Sequence, residues 1–133
     1  MAKLSKIALS EERCRDGVWI TFFEDIELCI RPAGNAEFRV AMQKKARRHV
    51  NAALLVDGDA DVRDATIPAM ARHILVGWKN LLQDDGSELS YSPKAADKLL
   101  RDPRFGSLYD FVSRVSSDEQ LYRESEIQAA EGN

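Results

Sequence analysis

Two cysteines, Cys14 and Cys29, are all the thiol chemistry in this chain. That is too few for a disulfide framework, and no Cys-x-x-Cys pair suggests a metal or redox site. Both are expected to be free thiols. Long hydrophobic runs are also missing. The longest span a few residues, such as Ala52 to Val56, well short of the ~20 that cross a bilayer. The opening MAKLSKIALSEER has two lysines but no continuous apolar stretch, so no signal peptide is expected and the chain is expected in the cytoplasm. HExxH, SxxK, GxSxG and a Gly-rich phosphate loop are all absent from the sequence. Internal repeats and low-complexity segments are absent too. No cofactor and no enzymatic activity are expected from such a chain.

What is present describes a globular protein. At 133 residues, 44% hydrophobic and 31% charged, it suits one domain spanning 1–133. The N-terminal arm and a hairpin would fill 1–34, and helices 35–133. The net charge of −3 hides an asymmetry. Residues 1–56 hold 10 Lys/Arg against 7 Asp/Glu, whereas residues 57–133 hold 9 against 15. The acidic second half speaks against nucleic acid and allows a basic protein partner.

The fold expected is α+β and mostly helical: an N-terminal β-hairpin followed by about four or five packed helices. Val18–Phe23 (VWITFF) and Ile26–Arg31 (IELCIR) are rich in β-branched and aromatic residues, separated by Glu24-Asp25. A two-residue loop would oppose Phe23 to Ile26, Thr21 to Leu28 and Trp19 to Ile30, making one nearly apolar face. The other side of the first strand, Val18, Ile20 and Phe22, would then need a second cover. It is the candidate partner-binding surface, for another protein or a like subunit.

Asn35 is placed to cap a helix carrying the stripe Phe38, Met42, Ala46, Val50, which Asp57-Gly58 should end. A second helix is expected from about Asp61 to Leu82, with Ile67, Met70, Ile74, Trp78 and Leu81 on one face. Ser92-Pro93 and Asp102-Pro103 read as helix starts. Phe105, Leu108, Tyr109, Val112 and Val115 form the next stripe, and Ser117–Gln120 a capping box opening a last helix. The expected core is Phe38, Met42, Val50, Ile74, Trp78, Leu99, Leu100, Phe105, Leu108 and Val112.

Three features invite chemistry. Asp57, Asp59 and Asp61 have calcium-loop spacing, but Val62 stands where the loop needs glycine and Pro68 where it needs a bidentate glutamate. They read as helix-start aspartates, and no metal is expected. Arg39, Lys44, Lys45, Arg47 and Arg48 make the first long helix basic. They spread over its outer arc without interleaved aromatics, which fits a solvated face. The alternative function is a small regulatory protein binding nucleic acid through this helix, 39–48. Trp78 and Tyr91 flank an acidic turn, as core aromatics or as a shared docking surface. His49 and His73, the only histidines, each lie near an apolar stripe and form no recognisable motif.

Three stretches in order carry a resemblance: IRPAGNAEF (Ile30–Phe38), GWKNLLQDDGSELSYSP (Gly77–Pro93) and AADKLLRDPRFGSLYDFV (Ala95–Val112). Together they resemble the tail assembly chaperones of long-tailed bacteriophages and prophages. The resemblance implies a small helical assembly factor of the host cytoplasm, absent from the mature virion. It implies binding to the tape-measure protein, which it would keep soluble, and recruitment of tail-tube subunits. It implies no catalytic residues. No membrane and no nucleic-acid partner are expected.

Overall fold

A computed structural model describes residues 1–52 and 59–124, without the side chains of 45–52 and 59–62. Among these residues the order is α1 (Glu11–Asp16), β1 (Val18–Phe23), β2 (Ile26–Ile30), α2 (Ala36–Ala52), α3 (Asp59–His73), β3 (Leu75–Lys79), α4 (Pro93–Arg101) and α5 (Gly106–Ser116). Short 3-10 turns lie at Leu4–Lys6, Pro103–Phe105 and Glu119–Tyr122. The class is α+β, with the hairpin first and the helices after it.

The hairpin is not a lone pair of strands. β3 adds to β2 to give an antiparallel sheet in the order β1-β2-β3. The apolar spacing predicts a helix that continues through Leu82. Instead α3 stops at His73, and the chain turns into a strand whose neighbour Ile74 accepts at its carbonyl from Arg31 N (2.8 Å). The apolar spacing could not separate the two. Residues four apart share a face in a helix and also in a strand, so Ile74 and Trp78 fit either pattern. Both are buried, as expected, but Trp78 is a strand residue.

Register is the second correction. Phe23 opposes Ile26 as expected, but a bulge follows between Thr21 and Phe23. Beyond it Ile20 opposes Leu28, Trp19 opposes Cys29 and Val18 opposes Ile30. One extra residue on β1 turns every later side chain over. Glu24 sits at φ 52°, the left-handed geometry the tight turn needs and a non-glycine residue rarely adopts.

The inner sheet face joins α3, α4 and α5 in one core containing Leu28, Ile30, Ile67, Met70, Ile74, Leu75, Trp78, Ala96, Leu100, Leu108 and Val112. Ser92 caps α4 by accepting from Ala95 N (3.0 Å), with Pro93 in the first turn. Asp102 caps the 3-10 turn at Pro103 by accepting from Arg104 N (2.9 Å), and α5 begins after it. Ser117–Gln120 opens a single 3-10 turn rather than a helix, capped by Asp118. Pro68 lies well inside α3. Phe38 and Leu99 pack on the core's edge and Met42 is half-buried. Phe105 is 38% exposed, against expectation, because the Asp102-Pro103 turn holds it at the rim. The side chains of Ala46 and Val50, the cap at Asp57-Gly58 and the last segment 125–133 lie outside the described residues.

Candidate protein-docking groove

The candidate partner face is Val18, Ile20 and Phe22. Val18 is buried at 9%, and Ile20 and Phe22 pack against the helical core. The Phe22 ring lies 5.0 Å from that of Phe111. The bulge has turned these three residues inward, so they do not present the free face expected of them. The outward residues of β1 are Trp19 and Thr21, while Phe23, on the turn side of the bulge, is exposed beside Ile26 at the hairpin tip. Trp19 reaches across β2 to β3. A Cβ on Gly77 would come 3.4 Å from its ring, and Lys79 Nζ stands 4.1 Å from the ring centroid. Cys29, on the same outer face, is covered by the end of α1. Its Sγ donates to Asp16 O (3.2 Å), and Gly17, at φ +85°, approaches where a Cβ would lie 2.9 Å from that sulfur.

Apolar surface is left open elsewhere, at the hairpin tip. A groove of about 560 Å3 is lined by Phe22, Phe23 and Ile26 from the hairpin and by Leu28 and Trp78 from the sheet floor. Leu81, Leu82 and Leu89 come from the segment after β3, and Leu99, Phe105 and Leu108 from the helices. Phe23 and Leu82 are each 61% exposed. Large apolar side chains grouped in this way are the usual mark of an interaction site.

The groove is held by its frame. The Trp78 indole donates to Leu89 O (2.7 Å) and meets Tyr91 edge-on with centroids 5.0 Å apart. The Tyr91 hydroxyl is engaged with the carbonyls of Ala71 (3.0 Å) and Leu75 (2.7 Å). The two aromatics flanking the acidic turn therefore brace it from within. In the turn, Leu89 N donates to Leu81 O (2.8 Å) and Gln83 N to Ser87 O (2.8 Å). Asp85 Oδ1 accepts from Ser87 N (2.9 Å) and Ser87 Oγ (2.6 Å), and these bonds hold its carboxyl below the usual range. Asn80 Nδ2 donates to Asp25 O (2.9 Å), tying this turn to the hairpin tip.

A second hollow, about 530 Å3, lies at the opposite end of the sheet beside Cys14, Arg31, Asn35 and Tyr122. Its polar groups Arg31, Asn35 and Tyr122 are engaged within the fold. Arg31 donates to Cys14 O (3.0 Å) and Glu37 (2.9 Å). Asn35 caps α2 by accepting from Phe38 N (2.8 Å) while donating to Pro32 O (2.7 Å) and His73 O (3.0 Å). The Tyr122 hydroxyl donates to Ile30 O (2.9 Å), and burial pushes its phenol pKa up. Burial likewise pushes the Cys14 and Cys29 thiols up, which keeps them in the neutral, less nucleophilic form.

Of the basic helix, Arg39 and Lys44 are exposed, while the side chains of Lys45, Arg47 and Arg48 lie outside the described residues. Among the described residues no group of His, Cys, Asp and Glu could hold a metal ion, and no helix is long and apolar enough to cross a membrane. Asp57 lies outside them.

The groove residues Phe23, Leu82 and Phe105 were missed as functional residues by the sequence reading. The signal available was the pair Leu81-Leu82 beside an acidic turn. Both cannot point inward there, so one is left on the surface.

No curated protein and no solved structure matches this chain. A family model described as YdaY prophage protein matches residues 33–133, more than half of the chain. That match takes in two of the groove's walls, the turn after β3 and the helices, and leaves the hairpin before it. This chain belongs to the YdaY prophage protein family.

Proposed function

We propose that this prophage-family protein is a tail assembly chaperone that binds the tape-measure protein, keeps it soluble and helps recruit tail-tube subunits. The observation that carries the reading is the apolar groove at the hairpin tip, with Phe23 and Leu82 standing largely in solvent on a braced frame. A tape-measure chain is long, helical and amphipathic, so it exposes apolar stripes before the tail assembles. A small groove suits one short stretch of such a stripe. Many copies along one chain hold it collectively while each contact stays weak enough to release. On this reading the protein acts in the host cytoplasm without chemistry, cofactor or metal.

The resemblance in the three quoted stretches supplies the identity of the partner; the groove supplies a place for it. The test is co-expression of the full chain with the tape-measure protein of the same prophage. The soluble fraction of the long chain is expected to rise and the two to co-purify. A tape-measure protein that stays equally insoluble with and without this chain removes the chaperone reading. Retention of duplex DNA or RNA through the basic helix, lost in added salt, would replace it with the regulatory one.

A further inference from the structure

The groove's apolar walls are bordered by charge of one sign. The hairpin turn contributes Glu24 and Asp25, and the turn after β3 contributes Asp84, Asp85 and Glu88, all exposed. From Asn80 to Leu89 the sequence has no lysine or arginine. The two turns meet where Asn80 donates to Asp25 O (2.9 Å), so their charges flank one opening rather than two. On the third side Arg104 stands beside Phe105, within electrostatic range of Asp84. Its guanidinium is already paired with Asp102 (2.9 Å). The border is therefore net negative around a floor that is almost wholly hydrocarbon.

From this we infer that the groove takes an apolar-anchored protein segment flanked by lysine or arginine, and rejects an equally apolar segment flanked by acids. The inference rests on the docking reading above and adds the chemistry of the occupant. Apolar contact provides the attraction, because Phe23, Leu82 and Phe105 lose their remaining exposure when covered. The rim provides the selection, because an acidic flank would bring like charges together at the edge of a low-dielectric floor. The rim also guards against self-association through this surface, since two copies meeting groove to groove would oppose two acidic borders.

The experiment uses the full chain and two labelled helical peptides with the same Leu/Phe stripe, one flanked by lysines and the other by glutamates. Fluorescence anisotropy at low salt is expected to give about tenfold tighter binding of the lysine peptide, because several exposed ion pairs of modest individual strength add. The preference should shrink in high salt. Glu24→Lys combined with Asp84→Lys should reverse it; neither side chain makes a hydrogen bond that holds the turns. Leu82→Ser should weaken both peptides. Equal binding of the two peptides, sensitive to Leu82→Ser, overturns the charge selection and leaves the docking groove standing. Binding unaffected by Leu82→Ser overturns the groove itself. Groove-dependent dimerisation in sizing chromatography, with neither peptide bound, would assign the surface to a second copy and overturn the inference.

Discussion

The two ends of the three-stranded sheet solve opposite problems. At the end where β2 leaves and β3 begins, polar groups are gathered inward and paired. Asn35 holds α2, the loop at Pro32 and the end of α3 together, and Tyr122 seals the carbonyl of Ile30. The N-terminal arm is pinned beside it, with Ser10 N donating to Tyr122 O (2.7 Å) and Glu124 N to Ala8 O (2.9 Å). At the hairpin end the backbone is equally well braced, but large apolar side chains are left facing out. The difference separates stability from recognition. A buried polar network tolerates little change because each orphaned group costs its own desolvation, whereas an exposed apolar side chain contributes little until a partner covers it.

The largest expected effect comes where the two functions share a residue. Trp78 is 8% exposed, belongs to the core and also forms the groove's floor. Trp78→Ala should cost about 3–5 kcal/mol through the cavity it leaves, read as a loss in urea-unfolding stability. An unchanged melt would mean that the floor of the groove is not part of the core. Trp78→Phe keeps most of the packing and loses the bond to Leu89 O, so it should loosen the 80–89 turn more than the rest of the fold.

At the closed end, Asn35→Ala removes the cap of α2 and both donors to Pro32 O and His73 O. The cost should be about 2 kcal/mol, above that of an ordinary cap because His73 O also loses its side-chain donor, although Pro32 O keeps its bond from Asn35 N (3.0 Å). Asn35→Asp keeps the cap and loses the donors, so chemical denaturation of the two variants divides the network into its parts. Equal stability of Asn35→Ala and the native chain would show that this end is not held by its polar groups.

A smaller effect at the same end depends on pH. Burial lowers the His73 pKa from its ordinary 6.5, with Arg31 acting in the same direction and Glu37 against it. The unfolded chain therefore takes up this proton more readily than the folded one. The contribution is complete above the unfolded value and is lost as pH falls through it towards the folded one. Stability is expected to decline as pH falls through the unfolded value of 6.5 towards the lower folded one. His73→Gln should flatten that part of the profile. A native profile already flat there would place the imidazole in an unperturbed environment.

What the sequence made legible follows the same division. The caps at Asn35, Ser92 and Asp102 could be read because each is a local rule, a side chain accepting from a backbone N–H two or three residues on. Leu100, Leu108 and Val112 could be read because a helical stripe buries them. β3 could not, because Ile74 and Trp78 repeat at a spacing that a strand satisfies as well as a helix, and pairing with β2 is decided by residues some fifty positions away. The face of β1 could not either. Its register depends on one bulged residue, and nothing in VWITFF announces it. The groove follows from both unread features, since β3 places Trp78, Leu81 and Leu82 beside the hairpin. Tyr122, fully buried, was hidden in a segment that reads as polar.

The smallest expected effect on stability should accompany the largest effect on binding. Phe23 and Leu82 are each 61% exposed, so replacing either by serine removes few contacts within the fold. Phe23→Ser and Leu82→Ser should each change unfolding stability by no more than about 0.5 kcal/mol. Phe23 lies next to the bulge, but its side chain is not what sets the turn, because the left-handed residue there is Glu24. Ile20→Asp is the contrasting substitution. Ile20 packs against the core, so a carboxylate there should destabilise the fold by several kcal/mol and lower partner binding only as a consequence. Sizing chromatography, urea melts and co-purification with the tape-measure protein on all three variants separate packing from recognition. If Leu82→Ser and Phe23→Ser melt like the native chain but lose the partner, recognition lies at the hairpin tip. If they keep the partner in full, the exposed apolar surface has another role and the proposed docking site is wrong.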